Sequence, residues 1–274
     1  LSDGQKAILR FTGEEEGDGA VIARAGSGKC LGRGTPVLMF DGSIRAVETV
    51  RPGERLMGPD SEPRTVLSTA QGRGPLYRIV PVKGTPWVCN DVHVMTLAGT
   101  NRERGKVRDV PLNELLAERP DRPDRDWKLW RTGVSWPARP VPVEPYLVGL
   151  WLGDGTRGAA HLTNREPEIH AYCREFAARF GCTAVFEPDP EHHTTSINLR
   201  GRGKGYASPL RDFFRSLSAD GGKTIPEAYL FNDAETRLAL LAGLLDTDGH
   251  LGAGCVDLVT VFPTLARQVV FLAR

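Results

Sequence analysis

Ala25-Gly26-Ser27-Gly28-Lys29 runs directly into Cys30-Leu31-Gly32-Arg33-Gly34-Thr35-Pro36-Val37-Leu38-Met39-Phe40-Asp41-Gly42-Ser43. The first part opens like a phosphate-cradling loop, because a buried-strand run, Ala20 to Ala23, leads into Gly-Ser-Gly-Lys. Such a loop needs Ser or Thr after its lysine to hold magnesium. It also needs a helix straight afterwards, whose amides bind phosphate. Here Lys29 is followed by Cys30, a poor magnesium ligand, and then by glycines and a proline that break helices. The loop therefore begins and is interrupted after Lys29. Val37 to Phe40, the Asp41-Gly42 turn and Ser43 to Val47 predict a β-hairpin in its place.

Upstream, Gln5 to Phe11 is a short amphipathic segment, and the acidic, glycine-rich stretch Glu14 to Gly19 predicts a turn. Downstream, residues 35–100 show short strands with turn signals every eight to twelve residues, at Pro52-Gly53, Gly58-Pro59-Asp60 and Gly72 to Pro75. This predicts an all-β region. Residues 101–140 are rich in Arg, Asp and Pro, with one helical pattern, Leu112 to Leu116, and tryptophans between Trp127 and Trp136. They read as a linking or accessory segment. From Tyr146 the texture is mixed: helices over Tyr146–Leu152, Glu166–Phe180, Leu210–Leu217, Glu235–Leu245 and from Thr264, with strands over Thr194–Leu199 and Cys255–Val261.

The 274 residues are 40% apolar and 25% charged, ordinary for a globular chain of one large or two smaller domains. A formal net charge of +1 gives no global attraction to nucleic acid. No apolar run is long enough to cross a membrane, so no membrane partner is expected. Five scattered cysteines without CxxC spacing argue against a disulfide framework or structural zinc, and predict a reduced, cytoplasmic chain.

Cys30 to Ser43 resembles the N-terminal splicing block of inteins, in which a nucleophilic Cys precedes a Gly-Thr-x-Val strand and an Asp-Gly-Ser turn. Val50 to Arg64 resembles the segment that follows in vacuolar-ATPase-type inteins. Cys89-Asn90-Asp91-Val92-His93 resembles the second splicing block, with Asn90 where Thr is common. The resemblance implies a β-rich Hint-type splicing fold over residues 30–140, accessory segment included. It implies that the scissile bond is Lys29–Cys30 and that the Cys30 thiolate attacks the Lys29 carbonyl. A thiol suits this step because sulfur is soft and partly ionised near neutrality. His93 would protonate the departing nitrogen, and Asn90 would polarise the amide. No cofactor is implied for splicing. The penultimate His and terminal Asn that finish the reaction are not present, so the expectation is a C-terminally truncated element that at most forms the thioester. Residues 1–29, with Gln5 ahead of the Gly-Ser-Gly-Lys run, resemble the end of a helicase-like ATPase, the host partner in cis.

Leu147-Val148-Gly149-Leu150-Trp151-Leu152-Gly153-Asp154-Gly155 and Leu241-Ala242-Gly243-Leu244-Leu245-Asp246-Thr247-Asp248-Gly249 repeat one pattern, an apolar helix with small residues ending in Asp-Gly. Gly149 and Gly153 share a helix face and would let two helices approach closely. A carboxylate at a helix C-terminus opposes the helix dipole, which points to a purpose for Asp154 and Asp248. The pair resembles the paired helices of LAGLIDADG homing endonucleases. That implies an α+β fold of order αββαββα over residues 141–274, magnesium held by Asp154 and Asp248, and catalysis assisted by Lys223 of Lys223-Thr224-Ile225-Pro226. It also implies double-stranded DNA, the uninterrupted host allele, as partner. Residues 141–274 carry 13 Lys+Arg against 16 Asp+Glu, so DNA contact would rest on local groups. Arg200, Arg202 and Lys204 are candidates for phosphate, and Arg157 and Arg165 for the groove.

Three other readings stay open. A fragment of a P-loop ATPase would bind nucleotide. A DNA-binding remnant that has lost cleavage would bind without nicking. A hedgehog-type autoprocessing domain would pass the thioester to an external nucleophile, and the endonuclease pattern argues against it.

Overall fold

The computed structural model describes residues 10–22 (as backbone), 30–81, 84–118, 126–201, 209–218, 221–252 and 254–273. The chain divides into two compact units, one ending at Val134 and the other starting at Ser135.

The first unit is a set of short antiparallel strands. β1 (Arg10–Ile22), β2 (Leu31–Gly32), β3 (Pro36–Leu38), β4 (Ile44–Ala46), β5 (Arg55–Met57), β6 (Pro63–Thr65), β7 (Thr69–Val80), β8 (Trp87–Asn90), β9 (Val94–Gly99) and β10 (Val107–Pro111) lead to helix α1 (Leu112–Glu118) and strand β11 (Trp127–Leu129). β1, β2, β8 and β7 close into a ring, and β9 lies between β10 and β11 in a separate sheet. The predicted hairpin forms as β3 and β4, with Val37 opposite Arg45. Its Asp-Gly turn works as the residue types dictate. Gly42 adopts φ 95°, and Asp41 Oδ1 accepts from the Ser43 amide and hydroxyl at 2.9 and 2.7 Å.

Two expectations fail in this unit. Glu14 to Gly19 is not a turn but the middle of β1. β7 pairs with it continuously from Glu14↔Tyr77 to Ile22↔Thr69, so long-range backbone hydrogen bonding overrides a local turn composition. Glycine faces glycine at Gly17↔Gly74 and Gly19↔Gly72. Residues 101–140, read as accessory, contribute to the core: Val110, Leu112 and Leu115 are buried with Ile79, Cys89, Met95 and Leu97. Gln5 and Ala23 to Lys29, and with them the expected interrupted loop and the carbonyl side of the expected scissile bond, lie outside the described residues.

The second unit holds α2 (Pro145–Asp154), β12 (His161–Asn164), α3 (Pro167–Phe180), β13 (Cys182–Asp189), β14 (Thr194–Gly201), α4 (Pro209–Ser216), α5 (Glu227–Leu230), α6 (Ala234–Asp248), β15 (Gly249–Gly252), β16 (Cys255–Leu258) and α7 (Pro263–Leu272). α2 starts with Pro145 in its first turn and is buried continuously from Leu147 to Leu152, as befits a helix apolar on all sides. It packs against α6 at the centre, with Trp151, Phe176, Phe214, Tyr229, Leu240 and Leu244 in one core. α3 ends where Gly181 turns left-handed, φ 74°. Trp136 belongs to this unit and packs against Phe231 and Phe271.

The order departs from αββαββα. One strand, β12, follows α2, and the amphipathic helix α3 comes before β13 and β14. Pro167 at the start of α3 and Gly181 at its end delimit that inserted helix. The sheet order β12-β14-β13 then returns β14 to the side of β12.

Candidate active sites

In the first unit, the strand register brings Cys30 beside Asn90. Leu31 pairs with Cys89, and Asn90 donates its backbone N–H to the Cys30 carbonyl at 3.0 Å. In return the Cys30 N–H, on the nitrogen of the candidate scissile bond, donates to Asn90 Oδ1 at 3.0 Å. Asn90 Oδ1 therefore accepts from the nitrogen side of that amide. His93 closes the same turn, its N–H donating to the Asn90 carbonyl at 3.3 Å, and its ring stands edge-on to Trp87 at 5.4 Å. Cys30 is half-buried, and desolvation raises its thiol above the ordinary cysteine range. Cys89 is wholly buried, and desolvation pushes it up to about 12, so it is an inert core thiol.

In the second unit, α2 and α6 approach so closely that a Cβ on Gly149 would strike the backbone of Leu240, Gly243 and Leu244. A Cβ on Gly243 would strike that of Tyr146 and Leu150. The Gly153 gap is filled by Thr247. This packing sets Asp154 and Asp248 at adjacent helix ends, close enough for the Asp154 charge to raise Asp248. Desolvation is the larger cause for both carboxyls. For Asp154 it is opposed by a hydrogen bond from Asn164 and by the Lys223 charge.

Lys223 is 6% exposed and lies at that end of α2, its Nζ donating to the carbonyls of Trp151, Leu152 and Gly153 at 3.1, 3.0 and 2.7 Å. The Trp151 carbonyl also accepts from the Gly155 N–H at 2.8 Å, whereas those of Leu152 and Gly153 lie in the last turn, where a helix leaves carbonyls without amide partners of its own. Desolvation lowers it to about 8, against the pull of Asp248 and Asp154, while Arg157 pushes it the same way as burial.

Asn164 is a site residue that no sequence pattern marks. It is 8% exposed at the end of β12 and donates Nδ2–H to Asp154 Oδ2 at 2.6 Å. Its amide orientation is settled, because Oδ1 accepts from the Glu166 N–H at 2.7 Å and that group can only donate. A lone Asn ten residues beyond the Asp-Gly pattern carries no motif, so only the strand's return to the helix end reveals it.

Among the described residues no three His, Cys, Asp or Glu side chains converge on a metal position. The pair of desolvated carboxyls, whose charges both act on Lys223, still suits magnesium, which takes one or two carboxylates and fills its other positions with water and phosphate.

The candidate DNA contacts are not gathered. Arg157 donates to the Gly221 carbonyl, near Lys223. Arg165 is exposed and pairs with Glu166 at 3.0 Å, whereas Arg200 is exposed and reaches Glu187 at 3.6 Å. Asn164 stands opposite Thr195 and Thr183 opposite Arg200, so Arg165 and Arg200 mark opposite ends of one sheet. Arg202 and Lys204 lie outside the described residues.

Among the described residues no helix is long and apolar enough to cross a membrane, and none of the five cysteines is in a disulfide. Residues 30–107 match the family model described as Hom_end-associated Hint. The chain is 29% identical over 257 residues to the replicative DNA helicase DnaB of Mycobacterium intracellulare, covering 85% of this chain and 40% of that protein. It is 28% identical over 170 residues to the homothallic switching endonuclease of Saccharomyces cerevisiae, 53% of this chain and 28% of that protein. A third match, 32% over 56 residues, is to the catalytic subunit of the V-type proton ATPase of Candida tropicalis, 20% of this chain and 5% of that one. The chain thus spans well under half the length of each of these relatives. The matched segment starts at Cys30 itself.

Proposed function

We propose that the chain is an intein that begins at Cys30, interrupts a helicase-like host after Lys29, and carries a LAGLIDADG-type homing endonuclease. The observation that carries the splicing half is the two-way pairing of Cys30 with Asn90, three residues before His93, at the start of the matched segment. In the proposed step the Cys30 sulfur bonds to the Lys29 carbonyl carbon and the Lys29–Cys30 C–N bond breaks. The thiol proton ends on the freed Cys30 nitrogen, so an amide becomes a thioester with no net change of atoms. Burial holds the thiol protonated, so a proton carrier is required, and His93 is the residue assigned to it. Asn90 holds the nitrogen in place while its bond to carbon fails. The helicase similarity fits a host interrupted by an element of the same kind.

For the second half, Asp154 and Asp248 would hold magnesium, which supplies charge neutralisation at a DNA phosphate. Lys223 adds a cation at the same helix end, and Asn164 keeps one carboxylate facing inward. The similarity to the homothallic switching endonuclease supports double-stranded DNA as the substrate.

Incubation with dithiothreitol tests the splicing half. Release of a fragment ending at Lys29, lost in Cys30→Ala, is expected; no release from the unaltered chain would sink the assignment. For the nuclease half, DNA carrying the uninterrupted host site is expected to be nicked in magnesium, and Asp154→Asn to stop nicking without stopping binding. Binding without nicking by the unaltered chain would instead identify a non-cleaving remnant.

A further inference from the structure

We propose that helix α1 and the end of β10, which lie outside the matched Hint segment, form the positioning element for the Asn90–His93 turn. The inference rests on the splicing reading of that turn. β10 pairs with β9 up to Pro111↔Val94 and then passes straight into α1. The first amides of that helix have no carbonyl partners inside it. Two of them are spent on the turn: the Leu112 N–H donates to the His93 carbonyl at 2.9 Å, and the Asn113 N–H donates to the Asp91 carbonyl at 2.8 Å.

The grip is continuous with the candidate nucleophile. The His93 N–H donates to the Asn90 carbonyl, and Asn90 is bonded in both directions to Cys30. Bonds therefore run without a break from α1 to the scissile nitrogen. The helix is itself anchored. Leu112 and Leu115 are 0% and 1% exposed in the same core as Cys89, and Arg108 of β10 holds Glu118 in the last turn by two bonds at 3.1 and 2.9 Å. A turn tied only by its own strands would be free to rock about them. Two external bonds on alternate carbonyls remove that freedom and fix where the His93 ring stands.

Asn113 allows the bond to be cut against a matched control, since proline and alanine at this position both lose the Oδ1 that accepts from the Glu114 N–H at 2.9 Å. Its side chain is exposed, and the first turn of a helix tolerates proline. Asn113→Pro removes the N–H, whereas Asn113→Ala keeps it. Thiol-induced cleavage at Lys29–Cys30 is expected to fall about tenfold or more in Asn113→Pro, and to stay within about twofold in Asn113→Ala. NMR resonances of the His93 ring and the Asp91–His93 amides should move in Asn113→Pro only. Unmoved His93 resonances, or undiminished cleavage, in a folded Asn113→Pro would overturn the proposal. If that variant does not fold, hydrogen exchange in the unaltered chain decides: Leu112 and Asn113 amides must be as protected as those of β9, and loop-like exchange refutes the grip. If the unaltered chain does not cleave but His93 still responds to Asn113→Pro, the splicing reading fails while the positioning contact stands.

Discussion

At the scale of residues, the two candidate sites handle charge differently. Cys30 is kept neutral by burial and has its backbone tied on both sides. Lys223 is kept near its switching point, and the sign of its pH dependence follows. Its folded value, about 8, lies below the ordinary 10.5, so between those two the unfolded chain holds a proton that the folded chain has released. Stability contributed by this group therefore rises with pH from about 8 to 10.5, by a total on the order of 3 kcal/mol. Across that window the urea midpoint of the unaltered chain should gain on that of Lys223→Met as pH rises; parallel curves would contradict it. The acids and the lysine are legible in the sequence because they sit in repeated or motif-like strings. Asn164 is not, since its role comes from the register of β12 against β14, which no local pattern encodes. The direction of the Asn90 bond is equally hidden: the residue type permits donation or acceptance, and only the fold selects acceptance from Cys30.

At the scale of elements, the close contact of α2 with α6 fixes the acid pair. Alanine ordinarily favours a helix over glycine by roughly 0.5–1 kcal/mol. Gly243→Ala is nonetheless expected to destabilise the second unit by about 1–3 kcal/mol, because its Cβ meets the backbone of Tyr146 and Leu150 instead of side chains that can rotate away. Chemical denaturation measures this directly, and a neutral or stabilising effect would mean that the helices are not so tightly apposed. These helices are readable from sequence by their length, their apolar content and their Pro and Gly boundaries. The strands are less so. β13 escapes a pattern search because Cys182–Asp189 mixes buried, half-buried and exposed positions and includes Pro188. β1 misleads because a composition suited to turns is held straight by a partner more than fifty residues away.

At the scale of the whole molecule, the described residues form separate apolar cores: the main one of the first unit is built on Ile79, Met95 and Leu97, with a smaller cluster of Met39, Val50 and Val66, and that of the second unit on Trp151, Phe176 and Phe214. Thermal unfolding is expected to show two transitions, with Leu97→Ala lowering one and Phe214→Ala lowering the other by roughly 3–5 kcal/mol. A single transition moved by both substitutions would count against two units that unfold separately. The broad division into a β-rich part and a mixed part is legible from the change of texture along the sequence. The place of residues 107–118 is not, because short β-sheets recruit distant segments and a seven-residue helix has too little periodicity to declare its core.

The bonds from Lys223 to the end of α2 span 70 to 72 positions. During synthesis at about 5–20 residues per second, that interval lasts on the order of 4–14 s. For that time the end of α2 has emerged without the cation that closes it, and Asp248 arrives later still. The ribosome therefore delivers the unit that ends at Val134 before the acid pair can exist. On the proposed reading, a nascent chain passes through a period in which it can rearrange its own backbone but has no means of cutting anything else.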